Sequence, residues 1–134
     1  MKELRKTLLS FLQTQFGSTF KTYLTGFPFY ISAELLPALA VYSAGEEIVW
    51  SARFSQSKTY KLAIEVLIDA SQEIEQRNRG IANEDFLNDR VEEICEFLRT
   101  HPTLGLNYTL GPIVVDYQMP EGTIRLAHLL VSFS

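Results

Sequence analysis

The chain has 134 residues, a formal net charge of −4, 46% hydrophobic and 21% charged residues, and a single cysteine. Such a mixture describes a single globular domain, able to bury about two-thirds of the surface its unfolded chain exposes. The lone cysteine excludes an internal disulfide framework. The acidic balance argues against duplex-DNA binding, which needs a basic face. No stretch reaches the roughly 18 apolar residues that span a bilayer.

Residues 2–16 carry Leu4, Leu8, Leu12 and Phe16 at helical spacing, with Gly17 as the stop. Lys2, Arg5 and Lys6 resemble a signal n-region, but Ser10, Gln13, Thr14 and Gln15 make the following stretch too polar for an h-region. A cytoplasmic packing helix is the expectation.

Residues 20–30 are dense in aromatics (Phe20, Tyr23, Phe27, Phe29, Tyr30) and broken by Gly26 and Pro28. Proline excludes a helix interior, so an extended segment is expected. Its aromatics are core or, for Phe27, Phe29 and Tyr30, a subunit contact. Residues 37–42 read as a short strand, Gly45-Glu46-Glu47 as a turn, and residues 48–53 as a strand pairing back, with Trp50 on either face. Residues 60–70 are the clearest strand: Tyr60, Leu62, Ile64, Val66 and Ile68 alternate with Lys61, Ala63, Glu65, Leu67 and Asp69. Glu65 and Asp69 are expected on a solvated face, too far apart along the strand for a carboxylate dyad.

Residues 71–82 lack apolar periodicity and read as a polar flexible loop, an arm that orders on assembly; Arg77 and Arg79 are interface candidates within it. Asn83 is placed to cap a helix whose stripe is Leu87, Val91, Ile94 and Leu98, with Cys95 alongside as a small buried hydrophobe. Asp85, Asp89, Glu92, Glu93 and Glu96 line the other side, either as a solvated face or as an acidic docking surface. They lack a matching second element to make a metal site. His101 before Pro102 suits a helix C-terminus. Residues 111–119 and 123–133 form a hairpin around Pro120-Glu121-Gly122. His128 falls among leucines on one face of its last strand, the pattern of a satisfied core or interface histidine.

The fold expected is α+β: a mostly antiparallel sheet with a long strand and a C-terminal hairpin, packed by an N-terminal and a central helix. Chemistry is sparse. Asp69, Asp116 and His128 are the best groups for an enzyme, and they make no nucleophile–base–orienter set. No catalytic residue, cofactor or metal is assigned.

Three phrases carry a family resemblance. Glu34-Leu35-Leu36-Pro37-Ala38-Leu39-Ala40-Val41-Tyr42 looks like an acidic-Leu-Pro-Ala strand entry. Leu87-Asn88-Asp89-Arg90-Val91-Glu92-Glu93-Ile94 runs into His101-Pro102-Thr103-Leu104-Gly105 as a helix with its threonine-leucine-glycine turn. Residues 125–133 fit a closing alternating strand. Together they resemble the tail-terminator and minor tail proteins of long-tailed bacteriophages. Leu106 stands where that family commonly has a second glycine, and residues 71–82 have no counterpart.

The resemblance implies a structural virion protein, typically a hexameric ring, that caps the tail tube and joins it to the head. Its partners would be itself, the tail tube protein and a head-completion protein, with neither specific nucleic-acid binding nor a membrane. It would reside in the bacterial host cytoplasm during assembly and in the virion tail afterwards. The alternative from the acidic helix is a small immunity- or chaperone-type protein that binds a basic partner.

Overall fold

The computed structural model describes residues 1–26, 32–51, 56–70, 77–102, 104–105, 108–120 and 123–134, without the side chains of residues 33 and 77–82. The first helical stripe becomes α1 (Lys2–Phe16), with Leu4, Leu8, Leu12 and Phe16 buried. Gly17 ends it at φ 50°, a left-handed conformation that costs glycine little, and its N–H bonds the Gln13 carbonyl. Phe20 then turns the chain into β1 (Thr22–Thr25).

The chain continues through β2 (Ala38–Trp50), β3 (Gln56–Asp69), α2 (Arg77–Thr100) and the hairpin of β4 (Leu110–Gln118) and β5 (Ile124–Phe133). The sheet order is β1-β2-β3-β5-β4, with β1 parallel to β2 and every other pair antiparallel. The architecture is α+β, as expected. The long strand lies at the centre of the sheet, paired on both sides from Tyr60 to Leu67.

Both helices cover the same sheet face. Leu4, Leu8 and Leu12 of α1 and Leu87, Ile94 and Leu98 of α2 join Leu39, Val41, Ile64, Val66, Leu129 and Phe133 in the main core. Burial of such large apolar side chains is the dominant stabilising term. The opposite face carries a smaller cluster of Leu36, Ala38, Ala40, Leu67 and Leu126. None of the helices of the described residues is long and apolar enough to cross a membrane.

Two sequence expectations fail here. Gly45-Glu46-Glu47 is not a turn, and residues 48–50 do not pair back. They continue β2, which passes through a bulge between Ser43 and Gly45 and pairs with the start of β3, ending at Trp50↔Gln56. A glycine accommodates the local kink of a bulge as readily as it makes a turn, so it misleads as a turn signal. Residues 51–55, between Trp50 and its partner Gln56, hold no glycine or proline; residues 52–53, the end of the expected second strand, lie outside the described residues.

The second failure concerns the polar loop. Residues 77–82 belong to α2, so Asn83 is an interior residue of the helix rather than its cap. A turn of helix needs no apolar stripe to form on the end of a packed one, and two arginines and an alanine there offset Asn78 and Gly80, which are poor helix formers. Judging that segment by apolar periodicity missed it. Residues 71–76, the rest of the expected loop, lie outside the described residues.

Candidate subunit interface

The β2–β3 ladder outruns the rest of the sheet. β5 pairs with β3 only as far as Tyr60↔Phe133, and β1 pairs with β2 only from Ala38 to Val41. Beyond these, the rows Glu47↔Thr59, Ile48↔Lys58, Val49↔Ser57 and Trp50↔Gln56 form a two-stranded arm about 12 Å long. At its base Thr59 Oγ1 lies 3.4 Å from Ser134 Oγ.

Register assigns the arm's faces. Tyr60 packs on the helix-side core, so Ile48, Lys58, Trp50 and Gln56 continue that face, and Glu47 and Val49 the other. This settles the face of Trp50. The indole is 67% exposed and Ile48 46% exposed, because the helical layer does not extend over the arm. Large apolar side chains grouped on a projecting element are the informative kind of exposure.

A second apolar surface lies on β4, the outer strand next to β5. Val115 and Tyr117 lie in register with the buried Leu129 and Ala127, which puts them on the helix side, yet Tyr117 is 41% exposed. Val114 on the other face and Met119 at the strand end are also exposed. Burial raises the Tyr117 phenol above its ordinary range, followed by the negative potential of Glu84, Cys95 and Glu92. All three residues belong to α2, which packs against β4. Cys95 is half-buried there, and burial pushes its thiol up. Glu84 is held by Arg125 of β5.

Arg90 and Arg99, the arginines that the sequence sets against the acidic helix face, pair with two of its acids. Arg90 bonds Glu93 at 2.9 Å, and Arg99 grips Glu96 through two nitrogens. Asp85, Asp89 and Glu92 are exposed. At the helix end the His101 ring stacks on Phe97 with centroids 4.5 Å apart, and its Nδ1 lies 3.0 Å from the Phe97 carbonyl.

The sheet face without helices holds one polar network that sequence reasoning misplaced. Glu65 is only 6% exposed, not part of a solvated face. Its Oε2 accepts from the Tyr42 hydroxyl at 3.0 Å and from His128 Nδ1 at 2.9 Å. Three strands thus place a hydroxyl, a carboxylate and an imidazole around one oxygen. Burial raises the Tyr42 phenol well above its usual value, and the charge and hydrogen bond of Glu65 add to the effect. The clue lay in two places: the apolar middle of Ala63, Glu65 and Leu67, and a lone histidine on another strand. Only the register connects them, through Glu65↔His128.

The other candidate acids are engaged elsewhere. Asp69 accepts from the Thr123 hydroxyl at 2.9 Å, and Asp116, in register with His128, accepts from Gln118 Nε2 at 3.0 Å. Of the interface candidates, Trp50 is on the arm, and Arg77 and Arg79 start α2. Phe27, Phe29 and Tyr30 lie outside the described residues. Sequence reasoning did not single out β4 as an exposed apolar surface, because alternation alone does not say which strand lies at the edge of the sheet. No protein-family model matches the chain, and no curated protein matches it.

Proposed function

We propose that this protein is a structural assembly subunit that forms a closed homo-oligomeric ring, in the role of a phage tail terminator. The observation that carries this reading is the separation of two exposed apolar surfaces among the described residues. The arm tip leaves one end of the sheet on β2 and β3, whereas Tyr117 and Met119 lie toward the other end of the β4 edge strand. A contact between two different patches is heterologous, and a heterologous contact whose rotation closes makes a ring. The specific role, capping a tail tube and presenting a surface to the head, rests on the resemblance of residues 34–42, 87–105 and 125–133. A net charge of −4 suits a ring that repels phosphate and lets DNA slide through its pore.

The alternative, an acidic protein that neutralises a basic partner, draws on exposed Asp85, Asp89 and Glu92, but the pairing of Glu93 and Glu96 with arginines weakens it. Light scattering at low and high salt, with negative-stain images of the same samples, separates the two. The ring reading expects a closed particle, about six subunits by the resemblance, that persists at high salt because apolar contacts hold it. A monomer at every concentration and both salts would overturn it.

A further inference from the structure

We infer that the β2–β3 arm of one copy seats in the seam between α2 and β4 of the next copy, with Ile48 and Trp50 on Val115 and Tyr117. This rests on the ring reading and names the surfaces that make the ring. The two surfaces match in shape class and in charge. The arm offers a narrow apolar ridge, and the seam offers a partly exposed apolar strip bordered by a helix. On the arm's helix-side face, Lys58 is the charged residue in the two outermost rows, Ile48↔Lys58 and Trp50↔Gln56. Glu46 shares this face but lies one row nearer the body, beside Tyr60. At the seam α2 packs against β4, Arg125 of β5 already engages Glu84, and Glu84 and Glu92 both act to raise the Tyr117 phenol. That leaves Glu92, exposed on the rim, as the acid that Lys58 would meet.

The arm cannot fill its own seam. Val115 aligns through Leu129 with Ile64, eight residues along β3 from Gln56, or about 26 Å, and β4 lies two strands to the side of β3. A rigid ladder holds that separation, so the occupant is another molecule. A second copy carries the complementary arm. Each copy uses its arm once and its seam once, so every arm and every seam is filled when the ring closes.

The native cysteine supplies the test, since half-buried Cys95 lies on α2, the helix packed against β4, and acts on the Tyr117 phenol. Ile48→Cys in the full chain, treated with a short bis-maleimide, is expected to give a ladder of covalent oligomers extending beyond the dimer. Ile48→Cys/Cys95→Ser is expected to stop at dimers, the most that one thiol per chain can form. In parallel, Lys58→Glu and Glu92→Lys should each weaken assembly several-fold, and the two together should restore it. A ring in the untreated protein with no Cys95-dependent ladder and no charge-swap rescue overturns the seating and leaves the ring reading standing. Untreated protein that stays monomeric at every concentration removes both.

Discussion

The two ends of β3 are one continuous strand living in different surroundings. From Leu62 to Ile68 every side chain is buried, on both faces, whereas Gln56, Ser57 and Lys58 are exposed. The buried half has a strand on either side, helices above it and Leu36 with its cluster below. Among the described residues, the exposed half pairs only with β2 and has no cover. Stability is therefore concentrated in the sheet body, and the arm is available for contacts outside the molecule.

Substitutions along the two halves can break or sharpen this contrast. Ile64→Ala removes a fully buried side chain from the main core and should cost about 2–5 kcal/mol in a urea melt; a cost below 1 would deny the body its role. Glu65→Ala strands the Tyr42 hydroxyl and His128 without their shared acceptor. A loss of about 1–3 kcal/mol is expected, with Glu65→Gln milder because its amide oxygen still accepts.

Tyr42→Phe removes the hydrogen bond to Glu65, worth about 1 kcal/mol at neutral pH. Its diagnostic effect is on pH dependence. The folded phenol is raised above the value of about 10 it has unfolded, so its stabilising contribution is complete below that pH and is lost as pH rises above it. Urea melts across pH 8 to 11 should fall less steeply for Tyr42→Phe than for the parent, and parallel curves would refute the buried-phenol picture. Trp50→Ser should change the monomer's stability by no more than about 0.5 kcal/mol, since the indole is largely exposed. The same change should weaken self-association about thirtyfold, read by sedimentation or light scattering.

The parts of the fold most legible in the sequence were those that local periodicity controls. The stripe of Leu4, Leu8, Leu12 and Phe16 announced α1 to the residue, and the alternation about Pro120 announced the β4–β5 hairpin. The core of α2 was equally plain from Leu87, Val91, Ile94 and Leu98. Its first turns were not, because residues 77–82 carry no apolar stripe. Gly45 was legible as an irregularity but not as a bulge, since glycine serves turns and bulges alike.

The amino-acid sequence by itself determined the α+β class, the apolar face of each helix and the alternation of the central strand, because these depend on residues three, four or two positions apart. Tertiary structure alone decided that Glu65 is buried beneath Tyr42 and His128, partners 23 and 63 residues away in the chain. It alone decided that Ile48 and Trp50 stand clear of the helices and that Tyr117 sits half-exposed beside Cys95 and Glu92. Exposure depends on which neighbours the strand order supplies, and strand order is set by the packing of the whole sheet.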